Sequence, residues 1–257
     1  MQSLKVIEHI TQWLKNYALD AGQKGYIIGI SGGIDSALTS TLCALTELDV
    51  LIVSLPLRQR EAEYIRAKKH ISALTLQYKN VKSIDIDLTT TFTQLEMSLP
   101  KDTAHNKLAM ANTRSRLRMT TLYALGQSNS LLVAGTGNKI EDFGVGFYTK
   151  YGDGGVDVSP IADLTKTQVR QLAKELNIGQ DILDAAPTDG LWDEDRTDEL
   201  QMGASYPELE WAMGFSGDEN TLKEREKQVL EIYRRLNRIN KHKMIPIPVC
   251  EIPKELI

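Results

Sequence analysis

The chain has 257 residues, 42% apolar and 25% charged, with a formal net charge of −4. That suits one large α/β domain or two small ones and is ample for a sizeable core. The acidic balance argues against a nucleic-acid surface, which is usually basic. Cys43 and Cys250 stand too far apart to suggest a disulfide framework or a zinc cluster. No apolar run reaches the ~18 residues of a membrane span. The N-terminal stretch, interrupted by Glu8 and Lys15, reads as an amphipathic helix rather than a signal peptide. The expectation is one cytoplasmic domain, 1–257, that engages neither membrane nor nucleic acid.

Leu4, Ile7, Ile10, Leu14 and Tyr17 recur at helical spacing, and Gly22 and Gly25 end that helix. Residues 26–30 form a short apolar run, read as a buried strand. A Gly-rich turn follows, then a helix over 37–45. Strands are expected at 50–55 and 81–86, with a charged amphipathic helix at 61–74 between them. Residues 106–126 read as a long helix carrying three arginines, and 130–134 as a fourth strand that runs directly into Gly135-Thr136-Gly137-Asn138. Residues 151–163 are Gly- and Asp-rich and read as a loop. Thr165 is a good N-cap for a helix to 176. The stretch 187–206 is acidic and weakly periodic, a length of loop that is often functional. A strongly charged helix at 221–241 leads into a proline-containing tail that cannot continue it. Strands alternating with helices predict an α/β fold, a doubly wound parallel sheet of Rossmann-like type with flanking helices. Ligands of such sheets sit at the carboxyl ends of the strands, where both Gly-rich turns fall.

The strongest local signal is Ser31-Gly32-Gly33-Ile34-Asp35-Ser36, placed after a strand and before a helix. Glycines there let backbone N–H groups at the helix start approach a polyphosphate. It is not a Walker loop, which needs Lys-Ser/Thr after its last glycine. An acidic residue in a phosphate site needs a cation between them, so Asp35 implies Mg²⁺, a hard ion with oxygen ligands. A functionless turn is the bland alternative, and the strand–turn–helix context outweighs it.

This motif resembles the signature of the PP-loop ATP pyrophosphatases, which split ATP between the α- and β-phosphates and transfer AMP. A second pattern narrows the resemblance. Gly135-Thr136-Gly137-Asn138-Lys139-Ile140-Glu141, then Phe147-Tyr148-Thr149-Lys150-Tyr151-Gly152-Asp153-Gly154-Gly155-Val156-Asp157, with Pro160, Leu164 and Lys166, are similar to the ammonia-using NAD synthetases. The likeness runs from about residue 7 to 248. It implies an ATP- and Mg²⁺-dependent ligase that amidates deamido-NAD with ammonia through an acyl-adenylate.

By that resemblance Asp35, Glu141 and Lys166 carry catalysis. Asp35 and Glu141 hold the metal, with Asp142 the alternative to Glu141, and Lys166 neutralises phosphates. ATP falls to Gly29, Ile30, Ser31, Gly32, Gly33, Ile34, Asp35, Ser36, Thr136, Lys166 and Thr188. Deamido-NAD falls to Arg116, Lys150, Asp157, His242 and Lys243. Arg114 and Arg118, on the same helix as Arg116, are expected to be solvated or inter-subunit. Residues 191–203 resemble the family's acidic loop, although Asp195-Arg196 replaces an expected Gly-Gln. The resemblance also implies a homodimer with the dinucleotide site at its interface. No stretch is left for a glutamine-hydrolysing amidase, and neither cysteine suits a nucleophile, so free ammonia is the expected nitrogen donor. The rivals are another PP-loop ligase and a non-catalytic nucleotide-binding module. A tRNA-modifying member of the class should show a basic surface or a cysteine pair.

Overall fold

A computed structural model describes residues 1–188 and 197–257. The chain opens with helix α1 (Ser3–Asp20), strand β1 (Gly25–Gly29), α2 (Ile34–Ala44), β2 (Asp49–Ser54), α3 (Glu61–Gln77) and β3 (Val81–Asp85). Next come α4 (Thr89–Ser98), α5 (Lys101–Ala104), α6 (Lys107–Asn129) and β4 (Leu131–Val133). One π-helical turn, Ile140–Val145, precedes α7 (Lys166–Glu175), α8 (Gln180–Leu183), α9 (Asp198–Met202), α10 (Tyr206–Gly214) and α11 (Glu224–Met244). Among the described residues no helix is long and apolar enough to cross a membrane.

The four strands pair in parallel in the order β3-β2-β1-β4, and an isolated bridge from Ala134 to Val158 prolongs the outer edge. Side chains alternate across each strand. Tyr26, Ile28, Val50 and Ile52 pack on one face against α1, α2, α3 and α7. Ile27, Leu51, Val53, Leu131 and Val133 pack on the other against Phe92 of α4 and Met119 and Leu122 of α6. Burial on both faces explains why these strands read as continuous apolar runs rather than alternating ones. The chain winds outward from β1 through β2 to β3, then returns by α6 to place β4 on the far side of β1. β1 and β4 therefore flank the point where the winding reverses, which is where such sheets open a ligand crevice. A third apolar cluster joins the π-turn to α10 and α11 through Ile140, Val145, Tyr206, Leu209 and Val229.

Sequence expectation and structure differ at several elements. α2 begins at Ile34, three residues earlier than its apolar pattern indicates, so Asp35 and Ser36 lie in its first turn. Helices α4, α5, α8, α9 and α10 and the π-turn were not anticipated. Of the acidic loop, Trp192-Asp193-Glu194-Asp195-Arg196 lies outside the described residues.

One buried polar contact ties the sheet-facing helices together. His70 of α3 is 7% exposed, and its Nε2 lies 2.9 Å from Ser40 Oγ of α2. Ser40 in turn donates to the carbonyl of Ser36 at 2.7 Å. Burial pushes the imidazole down to about 4, so the ring is neutral in the folded protein. The unfolded chain takes up the proton near pH 6.5, so this contribution to stability is present above that pH and declines as pH falls toward 4. NMR of the ring should show His70 uncharged at pH 5.5; a charged ring at that pH would contradict its burial.

Candidate active site

β1 ends at Gly29, and the loop that follows is braced by its own hydroxyls. Ser31 Oγ lies 3.0 Å from Ser36 Oγ and accepts from Gly33 N at 3.2 Å, while Ser36 Oγ donates to Gly33 O at 3.0 Å. Gly32 adopts φ +87°, and a Cβ there would stand 2.3 Å from the carbonyl oxygen of Glu63. Only glycine allows both this conformation and so close an approach of α3. Arg66 Nε donates to Gly32 O at 3.2 Å from the same helix. Gly33 is the extended N-cap of α2 and provides no side-chain cap. The first N–H groups of α2 therefore lack a side-chain acceptor and suit an anion.

A cavity of about 260 Å³ opens over this loop at the carboxyl ends of β1, β2 and β4. Of the residues anticipated for ATP, Gly29, Ile30, Ser31, Gly33, Ile34, Asp35, Ser36, Thr136, Lys166 and Thr188 line it. Gly32 does not, because it turns toward α3. Thr188 Oγ1 donates to Glu63 Oε1 at 2.8 Å.

The three residues expected to carry catalysis meet here. Lys166, 3% exposed at the start of α7, donates to Asp35 Oδ2 at 2.6 Å and to Glu141 Oε1 at 2.9 Å. Burial alone would lower the ammonium's pKa, but Asp35 and Glu141 outweigh it and hold Lys166 above its ordinary value. Asn138, fully buried, donates from Nδ2 to Asp35 Oδ1 at 3.3 Å and accepts from the N–H groups of Ile140 and Glu141. It thereby fixes the π-turn relative to α2.

The contacts of Tyr206 escaped sequence reasoning. Tyr206 donates to Glu141 Oε1 at 2.5 Å, its hydroxyl is 3.2 Å from Asp198 Oδ2, and its ring centroid lies 4.7 Å from the Lys166 ammonium. Asp198 belongs to the stretch 191–203 that resembles the family's acidic loop, for which the sequence gave no role. Half-buried Asp142 also lines the cavity, so both neighbouring carboxylates face it. A Cβ on Gly137 would meet the Asp142 carboxylate at 2.1 Å. Burial, then Glu141, Asp153 and Asp35, push the Asp142 carboxyl up to about 8.

The residues anticipated for the dinucleotide lie elsewhere. Arg116 is exposed and donates from Nε to Lys150 O at 3.2 Å. Lys150 Nζ donates to His242 O at 2.9 Å, and Lys243 Nζ to Tyr148 O at 2.8 Å. These four form a cluster where the segment 146–151 meets the end of α11, outside the cavity wall. Asp157 stands apart from them, accepting from Tyr123 Oη and Val133 N at the β4 edge. Arg114 and Arg118 correct the expectation that they are solvated. Arg114 is 8% exposed, and Arg118 lines the cavity. The available signal was the stripe Ser115, Arg118, Met119 and Leu122, which follows helical spacing on the face that carries the apolar residues.

Among the described lining residues, six carboxyl side chains (Asp35, Glu63, Glu141, Asp142, Asp153, Asp198) face three basic ones (Arg66, Arg118, Lys166). A polyphosphate would bind there only with an added cation, and the oxygen donors of Asp35 and Glu141 suit Mg²⁺. Lys166→Met should leave those two carboxylates buried and uncompensated, costing about 3–5 kcal/mol in the nucleotide-free protein. Urea unfolding at pH 7.5 should register the loss. Unchanged stability would contradict the ion-pair account.

Comparison with known proteins identifies the family. The NAD synthase family profile matches residues 6–246. The NH(3)-dependent NAD(+) synthetase of Mesoplasma florum is 37% identical over 223 residues, 86% of this chain and 88% of the relative. That of Carboxydothermus hydrogenoformans is 36% identical, covering 92% and 93%. Among solved structures, the NMN synthetase of Francisella tularensis superposes with a TM-score of 0.85 at 28% identity over 99% of both chains. The ammonia-dependent NAD synthetase of Campylobacter jejuni shares the fold, with a TM-score of 0.78 at 23% identity over 98% of this chain and all of the other. A cavity of Gly-rich loop, paired carboxylates and buried lysine at the switch point of a parallel sheet is thus set in a chain whose family these likenesses give: the chain belongs to the NAD synthase family.

Proposed function

We propose that this chain is an ammonia-dependent NAD synthetase, a ligase that amidates deamido-NAD at the expense of ATP. The observation that carries the reading is the meeting of Asp35, Glu141 and Lys166 over the Ser31–Ser36 loop. A carboxylate oxygen of the nicotinate ring attacks the α-phosphorus of ATP. The bond to the bridging oxygen breaks, and pyrophosphate leaves with the electron pair. Ammonia then attacks the acyl carbon of the adenylate, AMP leaves, and a proton is released to give the amide. The protein contributes positioning and charge neutralisation, and no side-chain nucleophile is needed.

Asp35 and Glu141 would hold Mg²⁺, which when bound offsets charge on the departing pyrophosphate. Lys166 moves its ammonium from carboxylate to phosphate oxygens. The uncapped start of α2 takes phosphate oxygens with Ser31 and Ser36, and Thr136 and Thr188 supply hydroxyls to the nucleotide. Arg116, Lys150, His242 and Lys243 bind the dinucleotide, with Asp157 beside it. Their position outside the cavity wall supports a site completed by a second copy, as a homodimer. Exposed apolar side chains at Leu4, Trp13 and Tyr17 of α1 and at Ile245, Ile247 and Val249 of the tail offer surface for such an interface. The unpaired cysteines, Cys43 and Cys250, suit a reducing cytoplasm.

A second reading concerns the acceptor. The likeness to an NMN synthetase favours a mononucleotide that lacks the adenosine half, amidated by the same chemistry. Purified protein supplied with ATP, Mg²⁺ and ammonium should convert deamido-NAD to NAD, releasing one AMP and one pyrophosphate per turnover. Asp35→Asn should reduce this by at least about 100-fold. Glutamine in place of ammonium should not support turnover. A higher kcat/KM for nicotinate mononucleotide than for deamido-NAD would transfer the assignment to the second reading. Activity with neither acceptor would refute both.

A further inference from the structure

α6 presents one stripe to the cavity, Ser115, Arg118, Met119 and Leu122. Its two apolar members lie at the β1–β2 end. Leu122 Cδ1 comes within 3.4 Å of where a Cβ on Gly29 would stand, and Val53 and Leu55 line the same region. That end suits the flat face of a base. Ser115, at the other end, donates to Asp153 Oδ1 at 2.7 Å. Arg118 lies between the two.

Its guanidinium is held from behind. Nε donates to Leu55 O at 3.1 Å and Nη2 to Gln59 Oε1 at 3.3 Å. Both acceptors are neutral. Among the described residues Arg118 makes no ion pair, and its Nη1 makes no hydrogen bond. Glu63 and Asp153 act on it only from beyond contact distance, while the nearby Arg114 opposes it. Burial first, then Arg114, bring the guanidinium down to about 10, which leaves it charged at neutral pH. A desolvated cation without an anion in contact is costly. A guanidinium fixed along one edge, with its remaining N–H groups toward a cavity, is arranged for an oxyanion.

We infer that Arg118 binds the α-phosphate of ATP. The inference rests on the cavity's being the ATP site. Within that reading the β- and γ-phosphates fall to the Ser31–Ser36 loop and the Asp35–Glu141 pair. The α-phosphate is the anion between them and the base, which matches the place of Arg118 on its stripe. Arg116, two residues earlier, points away and is exposed, so the two arginines divide between different parts of the reaction.

The test titrates AMP, which carries only the α-phosphate, and adenosine, which carries none, by saturation-transfer NMR against wild type, Arg118→Gln and Arg118→Lys. In Arg118→Gln the Kd for AMP should rise about 10- to 100-fold, with adenosine unchanged and Arg118→Lys recovering part of the loss. Equal weakening of both ligands would show that Arg118 only shapes the cavity. Unchanged AMP affinity with a raised KM for the acceptor would give the guanidinium to the acceptor's carboxylate, and either result overturns the inference. Wild-type protein that binds neither nucleotide would instead refute the ATP reading beneath it.

Discussion

The ammonium of Lys166, held between Asp35 and Glu141, is the interaction on which the rest of the site depends. The carboxylates come from the first turn of α2 and from the π-turn, and the lysine from the start of α7, with Asp35 more than a hundred positions from the other two in sequence. Their convergence follows from topology. The chain reverses its winding between β1 and β4, so the loops leaving these neighbouring strands open toward the same crevice. With 4% of the lysine side chain exposed and about 15% of each carboxylate, the charges are mostly out of water. Such a group is stable only as a set, because any one member left alone carries its full desolvation cost.

The surroundings serve that set from two sides. α3 supports the Gly-rich loop from beneath, through the close approach of Glu63 to Gly32 and the Arg66 hydrogen bond. The C-terminal cluster supplies Tyr206, whose hydroxyl orients Glu141 while its ring faces the Lys166 ammonium. Burial and the neighbouring Glu141 push the Tyr206 hydroxyl well above its ordinary range, so it remains a donor at any working pH. Apolar packing of α10 and α11 on the π-turn thus connects the outer part of the molecule to the orientation of one carboxylate oxygen.

Much of this was legible in the sequence because it rests on local rules. Buried parallel strands read as apolar runs, and Thr165 announced a helix start that the structure completes as a capping box with Gln168. Asp35, the acidic residue after the glycines, stood out in the sequence, and the structure pairs it with Lys166. The parts that were not legible depend on tertiary context. α4 carries one buried residue, Phe92, so its apolar period is too weak to mark a helix. The π-turn is a six-residue stretch whose Phe147 N–H closes on Glu141 O, a bond no composition rule anticipates. Arg116 and Arg118 are equally polar in sequence, and what tells them apart is that Arg118 falls on the stripe with Met119 and Leu122 that meets the sheet. Tyr206 looks like an ordinary core aromatic until Glu141 is placed beside its hydroxyl.

The central claim is that the carboxylate of the acceptor, rather than a protein group or water, attacks the α-phosphorus of ATP. Deamido-NAD labelled with ¹⁸O in its nicotinate carboxylate tests this directly when converted in unlabelled water and analysed by mass spectrometry. The account predicts that each AMP released carries one ¹⁸O atom, transferred when the acyl-adenylate is cleaved by ammonia. NAD formed alongside AMP that carries no label would contradict it.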